Sequence, residues 1–430
     1  FGREQGRHKQ AKMAQVPVTI LTGFLGSGKT TLLNYILKAN HGKKIAVIEN
    51  EFGEVGVDDA LIKTRNANFK DSEVVFDMAN GCVCCTVRGD LIEIFKKLQK
   101  RQDRFDRIIV ETTGMADPAP VCQTFFVDDG VRAFAKIDAV ITVVDAKHIT
   151  QHLDEQKPDG VENESVEQIA FADRVLLNKT DLVSEDELLA VEQRIKAING
   201  SVQILRTQLR ADGGRDPAID LGAILGVDAF SLHKILEAEP DFLSDAAHAH
   251  EHDRSVGSVG FRFAAEMNLG KMQNWIRTMM QDKGPDLYRY KGVLAVKGIH
   301  RKFVFQGVHM LFDGEFSDEW DEGEARESRF CFIGKNLDRQ QITEEFMACT
   351  VKDSDRLRFA VGDRVQCKAR GGWLAGTVIK VWDEGNPYRV KLDQGPPRRP
   401  LAPLPQSPFR HPPRAGPLAR APQRHAPRAL

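Results

Sequence analysis

Three thiols crowd into four positions of the stretch NGCVCCT, at Cys82, Cys84 and Cys85, in a 430-residue chain with seven cysteines. That spacing is too tight for an ordinary disulfide framework, and thiolates are soft ligands that suit Zn²⁺, Co²⁺ or Cu⁺ better than Mg²⁺ or Ca²⁺. In an extended segment Cys82 and Cys84 point to one side and can share an ion. A third thiolate or a carboxylate would complete a tetrahedral site, and because the thiols must be deprotonated, affinity should weaken as pH falls. His248, His250 and His252 in DAAHAHEHDR form a second candidate element, with all three imidazoles on one side if the segment is extended. A mobile polar linker accounts for the same residues equally well.

A different chemistry is written in VPVTILTGFLGSGKTTLLNYIL. An apolar strand over Val18 to Leu21 runs into Gly23-x-x-x-x-Gly28-Lys29-Thr30, then into a helix bearing Leu32, Leu33, Ile36 and Leu37. Strand before and helix after are the context a phosphate-binding loop requires. The glycines, Gly23, Gly26 and Gly28, let backbone N–H groups close on phosphates, with Ser27 and Thr31 in the same loop. Lys29 would bridge the β- and γ-phosphates and the Thr30 hydroxyl would bind Mg²⁺. Further on, FDRIIVETTGMADP reads as a buried strand ending in Glu111-x-x-Gly114, an acidic residue and a glycine where nucleotide hydrolases sense the γ-phosphate. Another buried strand, in ADRVLLNKTDLV, ends in Asn178-Lys179-x-Asp181. The Asp181 carboxylate can accept hydrogen bonds from guanine N1–H and the 2-amino group. Adenine lacks that donor pair and would leave the carboxylate unpaired, at a cost on the order of 1–3 kcal/mol. The expected nucleotide is GTP, with Lys29, Thr30 and Glu111 as the catalytic set.

These residues need a scaffold that gathers loops at one edge. Alternating strands and helices from Val16 to about Phe230 predict an α/β domain with a doubly wound, mostly parallel sheet. Residues 1–15 read as a disordered leader, with Met13 as the true start, and 231–254 as a histidine-containing linker. A smaller α+β domain is expected over 255–350, its helix in NLGKMQNWIRTMMQ turning Leu269, Met272, Trp275, Ile276 and Met279 to the core. Cys122, Cys331 and Cys349 are expected to be buried. Over 354–395, period-2 strands split by glycine turns resemble small SH3/Tudor-like barrels. There Trp373, Trp382 and Tyr388 read as core before they read as a cage for a methylated cation. Residues 396–430 carry 11 of the 19 prolines and no acidic residue, which predicts a disordered Pro/Arg tail. The chain is 42% hydrophobic and 28% charged with a net charge of −1, a balance that gives no reason to expect nucleic acid or an anionic membrane. No apolar run is long enough for a membrane span, no secretory signal is visible, and unpaired thiols point to a reducing, cytoplasmic setting.

Together TGFLGSGKTTLLNYIL, IENEFGEVGVDD, NGCVCC, ETTGMADPAPVCQTFF and LLNKTDL resemble the CobW-type metallochaperone GTPases, relatives of the nickel-insertion GTPases of urease and hydrogenase. The stretches LYRYKGVLAVKGIHRKFVFQGVHMLF and RFCFIGKNLDRQQITEEF resemble that family's C-terminal domain, so the likeness runs from about Val16 to Cys349. It implies a P-loop fold and a zinc- or cobalt-handling GTPase that passes metal to a client metalloprotein, and it is compatible with a homodimer. It also implies Asp58 near Mg²⁺, Glu111 and Gly114 on the γ-phosphate side, and Cys82, Cys84 and Cys85 as the metal motif with Glu49 and Glu54 as further ligands. Zinc-regulated members that serve methionine aminopeptidase carry a Cys-Pro-Glu motif before the phosphate loop. Here that stretch reads KMAQVPVTIL, and the resemblance does not carry that client over. Two other readings use the same residues: a regulatory GTPase with structural cysteines, and an adaptor that acts through its C-terminal barrel.

Overall fold

The computed structural model describes residues 15–39, 42–49, 74–77, 85–100, 105–158, 161–209, 219–229, 256–352, 357–369, 372–383, 386–393 and 409–410. Seven strands form the first sheet: β1 (Val16–Thr22), β2 (Ile45–Glu49), β3 (Val74–Asp77), β4 (Arg107–Glu111), β5 (Ala135–Asp145), β6 (Arg174–Asn178) and β7 (Gln203–Arg206). Their order is β3-β2-β4-β1-β5-β6-β7 and every pairing is parallel, as the alternating pattern predicts. The strands read as near-continuous runs of Val, Ile and Leu because helices cover both faces. One face packs on α2 (Cys85–Gln99), α3 (Ala119–Val127) and α4 (Asp129–Phe134) through Leu91, Phe95, Phe125 and Phe134. The other packs on α1 (Lys29–Lys38) through Leu32, Leu33 and Ile36. Among the described residues the domain has three more helices: α5 (Ile149–Leu153), α6 (Glu164–Phe171) and α7 (Glu185–Ile198). Asn163 caps α6, and Ser184 with Glu187 forms a capping box on α7.

The second sheet is antiparallel, ordered β11-β10-β9-β12-β8. Its strands are β8 (Val256–Phe263), β9 (Leu287–Leu294), β10 (Arg301–Val308), β11 (Leu311–Glu319) and β12 (Ser328–Lys335). Period-2 alternation on β12 divides its side chains between two cores. Phe330 and Phe332 join Met272, Met279 and Phe346 from α8 (Leu269–Lys283) and α9 (Arg339–Ala348), whereas Cys331 and Ile333 pack with Phe125 and Phe171 of the first domain. Cys122, Cys331 and Cys349 are all buried, and burial pushes the Cys331 thiol up to about 12.

One irregularity makes the contact between the domains. The register of β12 on β9 steps from Ile333↔Arg289 to Gly334↔Leu287, which leaves Tyr288 as the extra residue of a bulge. Tyr288 and its neighbour Arg289 therefore both meet the first domain. The Tyr288 hydroxyl donates to Glu162 Oε2 at 2.9 Å, and Arg289 donates to Phe171 O at 2.8 Å while pairing with buried Asp173. Lys335 pairs with Glu162 at the same seam.

The last described part is a four-stranded antiparallel sheet, β15-β14-β13-β16. Its strands are β13 (Arg364–Ala369), β14 (Gly372–Asp383), β15 (Asn386–Leu392) and β16 (Phe409–Arg410). Tyr388 is core, its ring 5.7 Å from Phe359 and its hydroxyl accepting from Phe359 N–H, so it is not available to an aromatic cage, and Trp373 stays 39% exposed. The Pro/Arg tail, expected to carry no structure, supplies β16, which pairs with Gln366 and Cys367.

Carboxyls crowd the seam between the first two domains. Burial first, then the charges of Asp117, Glu162 and Glu164, push the Glu167 carboxyl up to about 8 from 4.5, against an opposing pull from Lys335. A carboxyl whose pKa rises on folding stabilises fully below its unfolded value and loses that contribution as pH climbs through its folded one. Stability should therefore fall between pH 4.5 and about 8, by on the order of 2–4 kcal/mol from this group. Thermal melts across that window should show a shallower pH slope for Glu167→Gln, and an unchanged slope would contradict the assignment.

Candidate functional site

The phosphate loop leaves β1 at the centre of the sheet, where the strand order reverses between β4 and β5, the place at which open α/β sheets bind ligands. Gly28 sits at φ 112° directly before α1, and a Cβ there would lie 2.6 Å from Asn178 Nδ2. Only glycine meets both demands. Lys29 is buried with its ammonium folded over the loop, 2.8 Å from Gly23 O and 3.3 Å from Phe24 O. Thr30 donates to Glu111 Oε1 at 3.1 Å, so two of the three members of the expected catalytic set meet directly. The Ser27 hydroxyl is buried without a protein partner among the described residues, an orphan donor that fits an anionic ligand in the cradle. Gly26 and Thr31 lie in the same loop and the first turn of α1.

Gly114 closes against this loop. A Cβ at Gly114 would fall 2.7 Å from the Leu25 backbone, so the segment after Glu111 touches the phosphate loop main chain to main chain. Its conformation is held by Gln168, 1% exposed, whose Nε2 donates to Gly114 O at 3.2 Å and Ala116 O at 3.1 Å.

On the other side, buried Asn178 ends β6 and spans two loops. Its Nδ2 donates to Ser27 O at 2.9 Å and its Oδ1 accepts from Leu209 N–H at 2.8 Å. Lys179 takes the left-handed conformation at φ 60° and donates to Asp145 Oδ2 at 2.7 Å, the oxygen that His148 Nδ1 also meets at 2.9 Å. Burial alone would raise the Asp145 carboxyl, but hydrogen bonds from Lys179, His148 and Lys147 N–H outweigh it and hold the group below the usual range. Asp181 lies exposed in the 3₁₀ turn Thr180–Leu182. Sequence reasoning missed Asp145 and Gln168. Asp145 carried a signal, since it ends β5 after a buried apolar run as Glu111 and Asn178 end theirs; Gln168 carried none.

The candidate metal ligands are only partly within the described residues. Asp58, Glu54, Cys82, Cys84, His248, His250 and His252 lie outside them. Cys85 opens α2, and Glu49 is buried at the end of β2. Glu49 stands in register with Glu111 on β4 and with Asp77 on β3, so three acidic positions form one row across adjacent parallel strands about 4.8 Å apart.

Residues 17–206 match the CobW/HypB/UreG nucleotide-binding domain, and residues 256–350 match the cobalamin synthesis protein CobW C-terminal domain. The zinc chaperone YjiA of Escherichia coli (strain K12) is 35% identical over 339 residues, covering 78% of this chain and 98% of that protein. Zinc-regulated GTPase metalloprotein activator 1 of Schizosaccharomyces pombe is 34% identical, over 69% of this chain and 76% of its own. The crystal structure of Zn(II)-bound YjiA GTPase from E. coli aligns at a TM-score of 0.59 and 29% identity, covering 78% of this chain and 99% of that one.

The Asn178 bridge holds the phosphate loop and the loop at Leu209 together, so its loss should weaken both nucleotides alike. Asn178→Ala is expected to lower GTP and GDP affinity by tenfold or more each, measured with fluorescent analogues. A loss confined to GTP would contradict this placement.

Proposed function

The chain belongs to the CobW/HypB/UreG family of P-loop GTPases, and on that premise we propose that it is a zinc metallochaperone whose nucleotide state controls its hold on the metal. Lys29 and the loop N–H groups take the phosphates, and Thr30 with Asp58 takes Mg²⁺, which when bound neutralises charge at the β- and γ-phosphates. Asp181 reads guanine, while Lys179, oriented by Asp145, lies beside it.

Cys82, Cys84 and Cys85 take zinc, with Glu49 and Glu54 to complete the shell; cobalt fits the same donors. His248, His250 and His252 would serve as a lower-affinity entry point, and a client metalloprotein would receive the ion.

The observation that carries this reading is the row formed by Glu49 and Glu111, with Thr30 hydrogen-bonded to Glu111. The Thr30 O–H that donates to Glu111 would be polarised by Mg²⁺ held on the hydroxyl oxygen, and the neighbouring carboxylate in that row is a proposed metal ligand. A change at the nucleotide is thereby felt one strand away. Linkage makes the effect reciprocal: if GTP tightens zinc, zinc tightens GTP.

Zinc affinity measured by competition with a chelating indicator, in Mg²⁺-GTP, in Mg²⁺-GDP and without nucleotide, tests the proposal. GTP should tighten binding by about tenfold, about 1.4 kcal/mol of coupling, and Cys82→Ala/Cys84→Ala should abolish that difference. Equal affinities in all three states, or coupling that survives in the double variant, would overturn it in favour of a regulatory GTPase with structural cysteines.

A further inference from the structure

Helix α6 touches two things that have no other reason to be connected. On one side Gln168 gives both amide hydrogens to the carbonyls of Gly114 and Ala116, and its own backbone oxygen accepts from Thr142 Oγ1 at 2.8 Å. On the other side the helix end and its flanks carry the C-terminal domain. Phe171 stacks on Tyr288 with ring centroids 6.1 Å apart, and its carbonyl takes Arg289. Glu162, just before the helix, takes the Tyr288 hydroxyl and Lys335.

We propose that Gln168 is a positioning residue through which the nucleotide state, read at Gly114, sets how tightly β9 of the C-terminal sheet is docked on the GTPase domain. This rests on the assignment of Gly114 to the γ-phosphate. The segment after Glu111 cannot shift within its own slack: Gly114 is packed on the Leu25 backbone, Thr112 N–H donates to Leu21 O, and Asp117 accepts from Ala119 N–H at 2.8 Å. A peptide turning toward a γ-phosphate must therefore either break the two bonds from Gln168 or draw α6 with it. Gln168 is 1% exposed, so water does not replace those bonds. Either outcome is felt at Phe171, one turn away on the same helix, where β9 is seated. The bulge at Tyr288 is what brings both Tyr288 and Arg289 onto that seat.

Hydrogen exchange of the full chain, compared between Mg²⁺-GDP and Mg²⁺ with a non-hydrolysable GTP analogue and without zinc, reads both ends of this path. The wild type should show a nucleotide-dependent change of at least threefold in exchange both in the 112–118 segment and in Leu287–Leu294. In Gln168→Met, at saturating nucleotide, the first change should persist and the change in β9 should vanish. Tyr288→Phe, which leaves Gln168 in place, should likewise keep the first change and reduce the second at least by half.

A β9 response that survives in Gln168→Met, or that is missing from the wild type while the 112–118 segment responds, overturns the coupling and leaves the γ-phosphate assignment standing. A wild type in which neither segment responds overturns both. Zinc affinity plays no part in the readout, so metal coupling can fail or hold independently.

Discussion

A parallel sheet releases every strand through the same edge, and that constraint places the whole site. In this chain β2, β4, β5 and β6 run through buried apolar residues and each ends on a polar one: Glu49, Glu111, Asp145 and Asn178. These groups sit at the boundary between a dry core and the loops, where an unmatched donor or acceptor is costly. Each is matched by an adjoining loop where the bonds are seen: Glu111 by Thr30, Asp145 by Lys179 and His148, Asn178 by Ser27 and Leu209. The phosphate loop, the segment after Glu111 and the loop after Asn178 are therefore joined to one another by polar contacts. A shift in one is not absorbed locally.

The C-terminal domain is drawn into the same arrangement. Its sheet shares a continuous core with the GTPase domain, with Tyr288, Val308, Cys331 and Ile333 among Phe125, Phe134 and Phe171. Buried charges at the seam are paired, Arg289 with Asp173, and truncating one partner of such a pair costs about 3–5 kcal/mol. The two domains thus meet as packed surfaces with specific polar contacts. Among the described residues no helix is long and apolar enough to cross a membrane.

The fold was largely legible from the amino-acid sequence because its signals are local. The glycine spacing of the phosphate loop, the apolar strands ending in Glu111 and Asn178, and the helical stripe through Met272 and Met279 each depend on neighbours within one element. What stayed hidden depends on residues far apart in the chain. Gln168 reaches Gly114 across 54 positions, and nothing in ESVEQIAF marks it. The bulge at Tyr288 breaks a period-2 pattern that reads as regular in LYRYKGVL. Asp145 was within reach, since a carboxylate closing an apolar strand of a P-loop domain is seldom idle. Tyr388 went to the core and not to a cage because period-2 alternation in β15 turns it, with Val390 and Leu392, inward.

If zinc retention is governed by the nucleotide, release must follow hydrolysis in time as well as at equilibrium. Protein loaded with one equivalent of zinc and with Mg²⁺-GTP can be followed through a single turnover, with a zinc-responsive dye and a phosphate sensor in parallel. Zinc should appear with the rate constant of phosphate release and should be held back when a non-hydrolysable analogue replaces GTP. Zinc that leaves at one rate with GTP, with GDP and with the analogue would contradict the account.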